Sequence, residues 1–158
     1  MFVRVSDALT TDAVMVRPAW TSFEATIQGM VDQLVTTGRL ARRWAAVAVE
    51  SICERERMAS TAMVTIGVSI PHCRLDGVQG IVAAMAVSPD AVYQVADGAP
   101  ISIVILVLSS PALTGEHLTF LSSVSMLLQS ERAREQLRHA ASPDEVMQFL
   151  RSQENGRG

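Results

Sequence analysis

Apolar residues recur at three-to-four-residue intervals in the first third of the chain and again in the last; between these regions they gather into short unbroken runs. Over residues 20–36, Ile27, Met30, Val31 and Leu34 fall on one side of a helical period, and Ser22 stands where a capping side chain belongs, so an amphipathic helix is predicted. Residues 39–57 predict a second: Leu40, Trp44, Val47, Ala48 and Ile52 keep the period, with Arg and Glu clustered towards the ends. From residue 115 the period returns in His117, Leu118, Leu121, Val124, Leu127 and Leu128, giving a helix that reaches residue 129. Ser130 opens a shorter helix in SERAREQLRHA. Ser142, followed by a proline and two acids, opens another in SPDEVMQFLRS. Residues 153–158, QENGRG, lack such a pattern and are expected to fray.

The middle of the chain has a different texture. Residues 64–70, 80–87 and 101–108 are rich in Val and Ile and bounded by Pro, Gly, Asp and Ser, as strands of a covered sheet are. Between the last two, SPDAVYQVADGAP carries Asp97, Gly98 and Pro100, which mark a turn. Its apolar positions around residues 91–95 are expected to be exposed and free to pair with a second copy of the chain, as a homodimer. Helices, then strands, then helices make an α/β fold: a single sheet flanked by helices on both faces, in one domain over residues 1–152. A chain of 158 residues buries about two thirds of its unfolded surface, enough for one core.

Charge and composition narrow the function. The net charge of −3 and the few aromatic residues give no footprint for nucleic acid. The longest apolar run, IVILVL at residues 103–108, is far short of the roughly 20 residues that span a bilayer. The opening MFVRVSDALTTDAV has no long apolar core, so no signal peptide is expected and the protein is placed in the cytoplasm. Cys53 and Cys73 are expected to be reduced there, and neither has a second ligand pair for zinc, so no metal and no cofactor are expected. No phosphate-cradling glycine motif or nucleophile elbow is present.

Three histidines remain as candidates. His139 sits near the end of a charged helix, where it complements the helix dipole. His72, in GVSIPHCRL, closes a predicted strand at the edge where α/β sheets place their sites. His117 opens a helix just after the last strand, so two imidazoles can face one pocket. One ring nitrogen would then attack phosphorus while the other ring donates a hydrogen bond to phosphoryl oxygens. Arg55, Arg57, Ser60 and Thr61, in CERERMAST, precede the His72 strand and supply cations and hydroxyls. Cys73 is a lone thiol with no base beside it and reads as inert.

Taken in order, SDALTTDAVMV (6–16), RERMAST (55–61), GVSIPH (67–72), the apolar strand after Asp97-Gly98, EHLTFLSSVSMLL (116–128) and SPDEVMQFL (142–150) resemble a known family. They are similar to the mannitol/fructose-type IIA (EIIA type-2) proteins of the bacterial phosphoenolpyruvate:sugar phosphotransferase system (PTS), and among these to the nitrogen-regulatory, PtsN-like IIA. The resemblance implies a mixed β-sheet flanked by helices, the phosphotransferase/anion-transport type. It implies that His72 accepts a phosphoryl group from the phosphohistidine of an HPr- or NPr-type carrier, making the protein a phosphotransferase with a phosphohistidine intermediate. It implies further that His117 assists by hydrogen bonding, that Arg55 lies at the active site, and that Ser60 or Thr61 takes the hydroxyl position.

The phosphoryl group would pass to a separate IIB protein, or its presence would signal to a regulated target. Three departures stand out: the loop AMVTIG (62–67) replaces a glycine-rich one, Ser69 stands where alanine is usual, and Cys73 follows the histidine where glycine is usual. These departures motivate a rival expectation, a non-catalytic interaction module that keeps the fold and has lost transfer.

Overall fold

The computed structural model describes residues 4–18 and 20–156. The chain opens with one helical turn, α1 (Val5–Ala8), and a 3-10 turn at Thr11–Ala13 that leads into strand β1 (Val14–Val16). Three residues are too few to set up an alternation, so the hydrophobic pattern does not announce this strand. Helix α2 (Phe23–Thr36) follows, capped as expected by Ser22, whose Oγ accepts the Ala25 N–H at 3.0 Å. The second predicted helix begins as a 3-10 turn, Arg42–Trp44, and becomes α-helical as α3 (Ala45–Met58).

Of the strand predicted over residues 64–70 only Val68–Ser69 forms, and residues 64–67 are a turn instead. Short strands β2 (Ala62–Met63) and β3 (Val68–Ser69) pair antiparallel around a turn in which Gly67 adopts φ 68°, a left-handed conformation that glycine adopts without steric cost. Strand β4 (His72–Arg74) comes next, then the long strand β5 (Ile81–Val87). A hairpin of β6 (Tyr93–Gln94) and β7 (Pro100–Ile101) precedes the second long strand, β8 (Ile103–Ser109). The helices α4 (Thr114–Gln129), α5 (Glu131–Arg138) and α6 (Pro143–Asn155) complete the chain.

The sheet order is β1-β5-β8-β3-β2, with β4 also on β8. Strand β5 runs antiparallel to β8, whereas β1 is parallel to β5, and β3 and β4 are parallel to β8, so the sheet is mixed. Side chains alternate across it. Ala83, Met85 and Val87 of β5, with Ile103, Ile105 and Val107 of β8, join the cluster under α1, α4, α5 and α6. Their neighbours Val82, Ala84 and Ala86, with Val104, Leu106 and Leu108, face α2 and α3. Burial on both faces is why these strands read as continuous apolar runs.

Two expectations are corrected here. Val92 and Tyr93 are buried in the chain's own core, with Tyr93 packed edge-to-face on Phe23, so residues 91–95 offer no exposed apolar strip for a second copy. Helix α6 extends to Asn155, into the stretch expected to fray, because the Ser6 N–H and hydroxyl both donate to the Glu154 carboxylate. No helix among the described residues is long and apolar enough to cross a membrane.

Candidate active site at the β4 edge

Strands β3 and β4 are two pieces of one strand lying on β8, broken at Ile70-Pro71; β2 covers the β3 piece, and β4 is left at the sheet's edge. Proline has no N–H to give the ladder, which accounts for the break. The Ile70 carbonyl turns towards the next residues, and the His72 Nδ1 reaches it at 2.8 Å. A carbonyl only accepts, so the ring proton sits on Nδ1 and the lone pair of neutral His72 is on Nε2. Alternation does the rest. Cys73 points into the core below α3, so His72 and Arg74 point to the opposite face, where α4 packs.

Helix α4 starts five residues after β8 ends and brings His117 to that face. The ring centroids of His72 and His117 are 5.5 Å apart at an interplanar angle of 53°, so the two rings form one pair at this face. His72 is partly exposed, whereas His117 is buried at 5% exposure. The His117 Nδ1 lies 2.5 Å from the Ser109 hydroxyl. Burial, then the charges of His72, Arg74 and Arg55, hold the His117 pKa below its ordinary 6.5, so this ring is neutral at physiological pH.

Two arginines therefore act electrostatically at the pair. Arg55 stands exposed in the last turn of α3, and its charge reaches both His117 and Cys73. Arg74 shares the His72 strand face, and its guanidinium donates to the Pro111 carbonyl at 2.7 Å and to the Thr114 hydroxyl at 2.8 Å. It thereby ties β4 to the start of α4. Arg74 lies outside the motif, although its spacing of two from His72 is a legible signal; Ser109, the last residue of β8, carries none. Cys73 is buried and its thiol is pushed up to about 11 by burial, a poor state for a nucleophile.

Ser60 and Thr61 give their hydroxyls to Glu56. The Thr61 Oγ1 donates to it at 2.8 Å, the Thr61 N–H at 2.9 Å, and Ser60 Oγ also donates. Thr61 Oγ1 is also 3.2 Å from Ser69 Oγ. Ser60, Glu56 and Arg57 line an open cleft of about 370 Å³ with Ser22, Phe23 and Tyr93. Glu56 thus organises the RERMAST segment, a role the motif reading missed although the acid lies between Arg55 and Arg57. His139 pairs with Glu135 at 3.2 Å on exposed helix surface, away from both other histidines. Among the described residues no group of His, Cys, Asp or Glu is arranged to hold a metal ion.

Comparison with known proteins places this geometry in context. Residues 7–153 match the sequence profile of the "Phosphoenolpyruvate-dependent sugar phosphotransferase system, EIIA 2" family. A nitrogen regulatory protein of Pseudomonas aeruginosa is 32% identical over 108 residues, covering 68% of this chain and 70% of that protein. A fructose-specific EIIA component of Haloferax volcanii is 33% identical over 128 residues, covering 80% of this chain and 81% of the relative. The crystal structure of the nitrogen regulatory protein IIA-Ntr from Neisseria meningitidis superimposes with a TM-score of 0.78 at 24% identity, covering 92% of this chain and 98% of that one. The mannitol IIA of Escherichia coli, solved in complex with phosphorylated IIB, superimposes with a TM-score of 0.71 at 20% identity, covering 91% and 97%. At these identities the two structures establish a shared fold.

Proposed function

Because the chain belongs to the EIIA 2 family of the phosphoenolpyruvate-dependent sugar phosphotransferase system, we propose that it is a phosphocarrier whose acceptor is Nε2 of His72. The donor is the phosphohistidine of an HPr- or NPr-type carrier in the cytoplasm, and residues 1–152 act as one IIA domain. The observation that carries this reading is the anchored His72 ring: with Nδ1 donating to Ile70, only Nε2 has a free lone pair, and the His117 ring lies beside it with centroids 5.5 Å apart.

Transfer balances simply. The Nε2 lone pair forms a new N–P bond in line as the donor's N–P bond breaks, and the bonding pair returns to the donor imidazole. No proton need leave His72. The Nδ1–H stays on Ile70, and that carbonyl steadies the positive charge that develops on the ring. Arg55 offers a planar fork of donors to the phosphoryl oxygens, and His117, held neutral, adds a hydrogen-bond donor beside them. Ser60 and Thr61 contribute by fixing Glu56 and the start of β2, which sets where the α3 end and Arg55 lie. The partly exposed His72, with the Arg74 guanidinium drawn away to the 110–114 segment, leaves the acceptor reachable. That favours transfer over the interaction module that has lost it.

The phosphoryl group then passes to a IIB protein, or the phosphorylated state is itself read by a target. The relatives include a nitrogen regulatory protein and a fructose-specific EIIA component, at nearly equal identity. The test is to incubate the protein with phosphoenolpyruvate, enzyme I and HPr-type carriers from a host cell and measure acid-labile phosphate. Label on wild type, with the 31P signal of an Nε2-phosphohistidine, and none on His72→Ala is the expected result. Label retained by His72→Ala, or no label from any carrier, would overturn it.

A further inference from the structure

We propose that Ser109 is a positioning residue that fixes the tautomer of His117, and with it the direction in which that histidine can hydrogen-bond. A neutral imidazole carries one proton, on Nδ1 or on Nε2, and the partner of one nitrogen decides the other. The Ser109 hydroxyl is the partner: it closes β8, is fully buried, and sits 2.5 Å from His117 Nδ1. Two orientations satisfy that distance, and only one satisfies both groups. If Nδ1 donated, the serine hydrogen would need an acceptor of its own. Among the described residues His117 is the only hydrogen-bond partner of the Ser109 side chain, and the residue has no surface open to bulk solvent. If the serine donates to Nδ1, its hydrogen is used, the ring nitrogen is satisfied, and the His117 proton lies on Nε2.

The consequence rests on the phosphoryl-transfer reading above. An Nε2–H can donate to a phosphoryl group on His72, whereas an Nε2 lone pair would repel the phosphoryl oxygens. Ser109 therefore makes His117 a donor without charging it. The buried serine is held by the register of β8, where it lies opposite Arg74 of β4 and Ile81 of β5, so its hydroxyl has little freedom to turn elsewhere.

Nitrogen-15 NMR of the labelled, unphosphorylated protein reads the tautomer directly. The expected spectrum shows neutral His117 with hydrogen on Nε2 and none on Nδ1 near pH 7. Ser109→Ala should mix the two tautomers and slow phosphoryl acceptance by about tenfold or more, the direction seen when a catalytic histidine loses its orienting partner. Ser109→Thr, which keeps the hydroxyl, should restore both. A wild-type ring protonated on Nδ1 overturns the proposal outright, and it does so even if Ser109→Ala fails to fold. An unchanged tautomer and an unchanged rate in Ser109→Ala overturn it equally. The spectrum is scored before any carrier is added, so a failure of His72 to accept phosphate is a separate result.

Discussion

The chemistry rests on two imidazoles in unlike surroundings. His72 lies partly exposed with its proton held by a backbone carbonyl; His117 is buried with its pKa pushed down by burial and by neighbouring positive charge. That shift makes stability depend on pH. The unfolded ring binds a proton near pH 6.5, and the folded one resists it until lower pH, so the unfolded state holds more protons in the window between. The contribution of neutral His117 is therefore complete above pH 6.5 and is lost as pH falls through that window. Urea unfolding of wild type should show a midpoint that drops from pH 7.5 towards pH 5.5, about one unit either side of the reference value. His117→Gln should flatten part of that slope, and a slope identical to wild type would refute the assignment.

At the scale of elements, the site is made where β4 meets α4, and Arg74 is the tie between them. Its guanidinium reaches Pro111 and Thr114, the residues that launch the helix carrying His117. Arg74→Met keeps most of the stem and removes the fork. Amide exchange should then accelerate in residues 113–117 while α6, on its own Ser142 cap, stays protected. Phosphoryl acceptance should fall about ten- to a hundredfold, since small misplacements of a positioned group cost that much. Unchanged exchange at the start of α4 would show that the tie has no mechanical role. The periodicity of α4 is legible in the sequence, but its partner is not: the helix could be placed on either face until β4 and β8 are paired.

For the whole molecule, one sheet separates two cores, and only one of them supports the His117 helix. Phe120 lies fully buried under α4, and Leu106 is fully buried on the α2 and α3 face. Truncating either to alanine should lower stability by about 2–5 kcal/mol. Phe120→Ala should also slow phosphoryl acceptance, whereas Leu106→Ala should leave its rate near wild type, measured well below the unfolding midpoint. Equal slowing in both would argue that the histidine pair is not positioned by α4 packing.

Much of this fold can be read before folding. The long helices, the Ser22, Ser130 and Ser142 caps and the strands at residues 81–87 and 103–109 follow from local spacing, because periodicity and capping are properties of neighbours in the chain. His72 and His117 were legible as candidates for the same reason: each stands at the end of a strand or the start of a helix. The three-residue β1, the turn over residues 64–67 and the buried hairpin strand at Tyr93 were not, since each depends on what lies beside it in space. The same holds for the fine chemistry of the site. Residue identity alone says which side chains carry nitrogen, oxygen and charge. Only the tertiary structure decided that Ile70 holds the His72 proton, that Glu56 takes the Ser60 and Thr61 hydroxyls, and that Ser109 meets His117. Hydrogen bonds of 2.5 to 3.0 Å are set by the register of β4 on β8 and the seating of α4, and no local pattern encodes a distance.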